Sequence, residues 1–110
     1  MAIALPAAAA NGEAKPRNLD AFAQCLTQKK VLMYGSSVCP HCADQKKLFG
    51  SSFKYVTYVE CFVPGSRQGS PACVKADIHA VPTWVFPNGA RLVGEQSLQM
   101  LSAATGCPLP

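Results

Sequence analysis

The sequence predicts an α/β domain, a central mixed β-sheet flanked by helices. Three observations lead there. Apolar residues follow helical spacing at Leu19, Phe22, Ala23 and Leu26, but form short unbroken runs such as Val31-Leu32-Met33-Tyr34. A strand–helix–strand order early in the chain implies a parallel pair, and a later hairpin signal at Asn88-Gly89 adds antiparallel strands. The length of 110 residues, 49% of them apolar, suits one hydrophobic core rather than two.

Residues 1–17 read as a flexible tail or linker ahead of a domain spanning 18–110. Met1–Ala10 is apolar, but it is short for a signal peptide and lacks a charged start. The remnant of a trimmed upstream segment fits it equally. Asn18 is placed to cap a first helix running to about Gln28. Lys29 and Lys30 follow where cations suit the helix dipole. Val31–Tyr34 reads as a buried strand, and Gly35-Ser36-Ser37 loosens the chain after it. A second helix is expected from Pro40 to about Phe49, stopping at Gly50, because proline suits a first helical turn. Phe53–Cys61 has strand composition in Tyr55, Val56, Thr57, Tyr58 and Val59. Pro64 to Pro71 is a polar loop, and Ala72–Ile78 a short helix. Thr83–Phe86 and Arg91–Val93 are paired across the Asn88-Gly89 turn. Ser97–Thr105 is a last helix, with Gly106 as its cap.

The formal charge is +4, and no run of Lys or Arg exceeds a pair. Nucleic-acid binding would want a concentrated basic stripe, which is missing. No stretch reaches the roughly 18 apolar residues of a spanning helix. Six cysteines (Cys25, Cys39, Cys42, Cys61, Cys73 and Cys107) are many for this length, and their even number suits an oxidising compartment.

Chemistry concentrates in Cys39-Pro40-His41-Cys42. A first thiol at a helix start meets free backbone N–H groups and the positive end of the dipole, which favour its thiolate. The thiolate is the nucleophile of disulfide exchange. The second thiol lies one turn on, close enough to attack a mixed disulfide and release the partner. Cys39 is therefore assigned as nucleophile and Cys42 as resolving cysteine. His41 either places positive charge beside Cys39, stabilising the thiolate, or is an exposed spectator. The competing chemistry is zinc, whose knuckles open with the same spacing. Zinc would want a second close pair, and Cys61 and Cys73 are too widely spaced to supply one. Val81-Pro82-Thr83 bears on the choice. A proline just before a central strand removes a ladder donor. A cis bond there would set backbone beside the cysteines, whereas a trans proline would be an ordinary strand entrance.

These residues resemble a thioredoxin-like fold over about Leu19 to Gly106. Within it, several blocks resemble the thioredoxin-like domain of bacterial and plant vitamin K epoxide reductase homologues. They are Met33-Tyr34-Gly35, Cys39–Cys42, Gln45–Gly50, Tyr58-Val59-Glu60-Cys61, Cys73 and Pro82-Thr83-Trp84. The resemblance implies that Cys39 and Cys42 are the redox pair, that Pro82 is cis, and that Cys61 and Cys73 form a second pair. It implies a role in oxidative protein folding outside the cytosol: periplasm, cell-envelope exterior or thylakoid lumen. The implied partners are protein thiols and a membrane-embedded quinone-linked oxidoreductase. Any such membrane partner is a separate chain or a removed portion, because these residues hold no membrane domain.

Some positions depart from the wider fold or stay open. Met33 stands where many thioredoxins bury an Asp that helps move the resolving proton, which puts cytosolic reductant work in doubt. Cys25 and Cys107 either pair, tying the first helix to the C-terminus, or are both free. Cys61 and Cys73 form either a structural disulfide or an electron relay. Glu60 is either a proton carrier or a strand-end carboxylate. The expected activity is a protein disulfide oxidoreductase with no cofactor beyond its redox-active disulfide. The competing classes are a binding module with only structural disulfides, and a zinc-binding domain.

Overall fold

The computed structural model describes residues 18–110; the tail or linker expected over 1–17 lies outside them. Helix α1 spans Asp20–Gln28, and Asn18 Oδ1 accepts a hydrogen bond from the Asp20 N–H. Its end is closed by two backbone bonds, Lys30 N–H to Thr27 O and Val31 N–H to Leu26 O, both 3.0 Å. This is a Schellman closure with Lys30 at φ 63° in the position glycine usually takes. Val31 is used up in that closure, so strand β1 runs Leu32–Gly35, one residue later than its composition suggests.

Helix α2 is Pro40–Phe49 and ends at Gly50, whose φ of 57° breaks the helical path. The strand expected over 53–61 begins only at Thr57. Gly50–Tyr55 forms a 3₁₀ helix, and β2 is Thr57–Glu60. The aromatic residues that imitate a strand are spent on packing. Phe53 stands edge-on to Phe49 and to Tyr58, with ring centroids 5.8 Å apart in each pair. Tertiary packing thus overrides local propensity.

Helix α3 is Pro71–Lys75, capped by Ser70, whose hydroxyl accepts from the Cys73 N–H. It starts before and stops short of the expected 72–78. Strands β3 (Thr83–Val85) and β4 (Arg91–Val93) form the hairpin. Its turn is a three-residue loop closed by Phe86 N–H to Ala90 O, with Gly89 at φ 88°. Helix α4, Leu98–Thr105, is capped by Ser97 at its start and by left-handed Gly106 at its end.

The sheet order is β2-β1-β3-β4, with β1 parallel to β2 and antiparallel to β3. The α/β class and mixed sheet expected from the sequence are present, and the arrangement is compatible with a thioredoxin-like fold. Met33, in the central strand, pairs with Tyr58 on one side and Trp84 on the other. Phe22, Leu26, Met33, Trp84 and Leu101 are at most 1% exposed, and Phe49 stacks between Phe22 and Trp84 with centroids 6.0 Å from each. Among the described residues no helix is long and apolar enough to cross a membrane.

One buried polar side chain joins three elements beneath the cysteines. Gln45 of α2 is fully buried. Its Oε1 accepts from Trp84 Nε1 at 3.0 Å and from the Gln96 N–H at 2.7 Å, and its Nε2 donates to Gln96 O at 2.9 Å. Replacing it with an apolar residue would orphan the buried Trp84 indole N–H and remove the side-chain partners of the half-buried Gln96 backbone. Gln45→Leu should therefore lower unfolding free energy by about 2–4 kcal/mol in urea titration. A loss under about 0.5 kcal/mol would mean that the three groups find other partners.

Candidate active site

The site is built where β1 hands over to α2. Cys39 is the residue just before the helix, in an extended conformation, with Pro40 at the first helical position. The proline fixes the first turn without wasting a donor. A turn from Ser36 O to the Cys39 N–H, 3.2 Å, sets the approach, and Ser36 Oγ accepts from the Val38 N–H. Cys39 is partly exposed and Cys42 fully buried, and both are free thiols.

The two sulfurs meet opposite environments. The Cys39 thiol is held below its ordinary value, chiefly by the backbone N–H of Cys42. Burial opposes this, while the Cys42 thiol and the backbone N–H of His41 add to it. Cys42 is pushed up to about 11. Burial is the main cause, with the Cys39 hydrogen bond and charge adding, and the Ser36 N–H and Lys46 pulling the other way. The Ser36 N–H points at Cys42 Sγ from 3.4 Å. A partly exposed sulfur whose thiolate is favoured, beside a buried thiol, is a division of labour suited to disulfide exchange.

The expected site residues divide as follows. The Val81–Pro82 bond is cis, and Val81 O accepts from Cys39 Sγ at 3.8 Å. The strand-entrance proline and the first cysteine are thus brought together across 42 positions of sequence. His41 contributes its backbone to Cys39. Its imidazole is exposed and stands 3.6 Å from Glu95 Oε1.

Cys25 and Cys107 form a disulfide with Cα atoms 5.9 Å apart, joining α1 to the C-terminal segment. Cys61 and Cys73 form another, 5.6 Å between Cα atoms, closing the loop between β2 and α3. A cleft of about 210 Å³ lies between that loop, Ser36 and Val81, beside Cys39. A larger cavity of about 490 Å³, lined by Val31, Phe86 and Leu92 among others, sits at the opposite end of β1 from the cysteines.

Among the described residues, Cys39 and Cys42 belong to no cluster of three or more metal-capable side chains, and Cys61 and Cys73 are joined in a disulfide. The cluster of metal-capable side chains among the described residues is His41, Asp44 and Glu95, all exposed and without a cysteine.

Glu60 is a residue whose role the sequence left open. Its Oε2 accepts from the Ser37 N–H and the Phe62 N–H, and its Oε1 from the Tyr58 hydroxyl, each at 2.9 Å. Burial would raise its pKa. The Phe62 and Ser37 N–H groups, Tyr58 and Lys46 outweigh that and hold the carboxyl below its usual range. It braces the turn that leads into Cys39. Gln45 went unassigned at the sequence level, because a lone glutamine in a polar helix segment looks solvent-facing.

No protein-family model matches the chain. The sequence is 40% identical over 93 residues to thiol-disulfide oxidoreductase LTO1 of Arabidopsis thaliana, a stretch that is 81% of this chain and 24% of that protein. The chain therefore spans about a quarter of the length of the curated relative it matches. In sequence it resembles a thiol-disulfide oxidoreductase.

The thiol environments set a pH profile for alkylation of the reduced protein. Rate follows thiolate fraction, so it rises with pH and levels off above the pKa. Cys39 should level off below the ordinary thiol value and Cys42 only near 11. Iodoacetamide at pH 7 with peptide mapping should show Cys39 modified at least about 100-fold faster than Cys42. Equal rates would contradict the asymmetry.

Proposed function

We propose that the domain over 18–110 is a thioredoxin-like protein disulfide oxidoreductase that exchanges disulfides with protein thiols through Cys39 and Cys42. The observation that carries this reading is the unequal pair at the start of α2. One sulfur is partly exposed, activated by backbone N–H groups and set against Val81 O; the other is buried and one turn behind it. The likeness to an oxidoreductase over most of the chain supports the same reading.

In the exchange, a partner thiolate attacks Cys39 Sγ of the oxidised pair. The Cys39–Cys42 bond breaks, and Cys42 leaves with the electron pair. A second partner thiolate then attacks the partner's own sulfur in the mixed disulfide and releases Cys39 as a thiolate. The partner gains a disulfide, and the pair ends as two thiols. The electrons reside in the pair itself, so the reaction needs no bound cofactor.

The proposed net direction is oxidation of partner thiols. A backbone-stabilised Cys39 thiolate favours the reduced form of the pair, and a favoured reduced form makes the disulfide a stronger oxidant. Met33, buried and apolar in the central strand, offers no carboxylate for reductant work. The reduced pair then has to be reoxidised, and the proposed acceptor is a membrane-embedded quinone-linked oxidoreductase. The proposed setting is extracytoplasmic. The disulfides Cys25–Cys107 and Cys61–Cys73 support it, since such bonds persist in oxidising compartments. Cys61–Cys73 is assigned a structural role, shaping the cleft beside Cys39.

Equilibration of Cys39–Cys42 in glutathione buffers tests the direction. A potential clearly less negative than that of thioredoxin, about −270 mV, is expected. A value at or below it would reverse the proposed direction.

A further inference from the structure

The exchange proposed for Cys39 and Cys42, on which this inference rests, leaves the resolving thiol with a proton to dispose of. Cys42 is fully buried, and at a pKa of about 11 only about one molecule in 10,000 holds it as thiolate at pH 7. The central strand cannot help, because Met33 is apolar there. Thr83 and Trp84 of β3 do not titrate near neutrality. The titratable groups that act on Cys42 or on its neighbour Tyr58 are Cys39 just before α2, Lys46 of α2 and Glu60 of β2.

Gly35 creates the route. A Cβ at Gly35 would stand 3.2 Å from Cys42 Sγ, 3.3 Å from the Tyr58 hydroxyl oxygen and 2.8 Å from Tyr58 Cε1. Without a side chain at Gly35, the resolving sulfur and the tyrosine hydroxyl both close on the same point of β1, near enough to each other for one water to span them. The hydroxyl donates in turn to Glu60 Oε1 at 2.9 Å. Glu60 is half-buried, so its carboxylate links this interior point to solvent. Lys46 Nζ lies 4.2 Å from the centre of the Tyr58 ring and steadies that side chain.

We propose that Tyr58 and Glu60 form the proton path of Cys42, doing from the neighbouring strand what no group in the central strand can do. When a partner thiolate bonds to Cys39 Sγ, the Cys39–Cys42 bond breaks and its electron pair stays on Cys42 Sγ. That sulfur takes a proton from the Tyr58 hydroxyl through a bridging water while the hydroxyl regains one from solvent by way of Glu60 in the same movement, because burial and Glu60 hold the hydroxyl too high to release its proton alone. In reverse, Cys42 attacks the mixed disulfide, its proton leaves along the same path, and the partner departs as thiolate. Tyr58 and Glu60 act through Cys42 and do not touch the partner, so they are positioning residues.

The test uses the full chain in its reduced form and 5,5′-dithiobis(2-nitrobenzoate). Attack by Cys39 releases one thionitrobenzoate, and resolution by Cys42 releases the second. In the wild type the second phase should be nearly flat across neutral pH. In Tyr58→Phe the ratio of second-phase to first-phase rate should fall about 100-fold at pH 7. Its second phase should then climb with pH toward the titration of Cys42 itself near 11. Glu60→Gln has one acceptor oxygen for Tyr58 and the Ser37 and Phe62 N–H groups together and cannot carry a proton as a carboxylate does, so its second-to-first-phase ratio should shift in the same direction. The proposal is overturned if both variants keep the wild-type profile, or if both phases slow together with the profile unchanged. Release of only one thionitrobenzoate by the wild type would instead overturn the exchange reading, and the proton path with it.

Discussion

The start of helix α2 is the constraint on which the rest of the structure depends. A helix begins with unsatisfied N–H groups, and here those of His41 and Cys42 are directed at the sulfur of Cys39. Pro40 fixes that first turn. The arrangement holds only while α2 keeps its angle to the sheet. Gln45 fixes that angle from below, through Trp84 and Gln96. Glu60 fixes the incoming turn from the side, through the Ser37 N–H. The buried position of Cys42 follows from the same geometry, since one helical turn carries it from the surface into the core.

Each sulfur is thus tuned by a different physical effect. Cys39 gains from oriented backbone dipoles, which cost nothing to reorganise when charge appears on it. Cys42 is governed by burial, which disfavours its thiolate. The two disulfides stand apart from this chemistry. Cys25–Cys107 ties α1 to the C-terminal segment across 82 positions of chain, the longer of the two closed loops. Cys61–Cys73 closes a short loop whose inner face borders the cleft at Val81.

Much of this was legible in the sequence where local chemistry decides. Pro40 after Cys39 marked the helix start, Gly50 its end, and Ser97 and Gly106 the limits of α4. The spacing of Cys39 and Cys42 marked the two cysteines that the structure leaves as free thiols. What was illegible depended on tertiary contacts. Phe53 and Tyr55 look like strand residues and lie in a 3₁₀ helix, because Phe49 and Tyr58 offer aromatic partners there. Gly35 looked like a loosening of the chain, yet it extends β1 and leaves room for Cys42 and Tyr58. The buried role of Gln45 depends on Gln96, 51 positions away, and no local pattern announces it. For His41 the sequence left charge tuning and an exposed spectator both open, and no local pattern showed that its backbone would serve Cys39 while its exposed ring faces Glu95.

The central claim is the assignment of Cys39 as nucleophile and Cys42 as resolver. Trapping tests it most directly. Cys42→Ser and Cys39→Ser would each be incubated with a reduced protein extract under mild oxidant, then separated on non-reducing gels and mapped by mass spectrometry. The assignment predicts covalent mixed disulfides at Cys39 in the Cys42→Ser protein and almost none in the Cys39→Ser protein. Equal trapping by the two variants, or adducts placed on Cys61 or Cys73 instead, would contradict it.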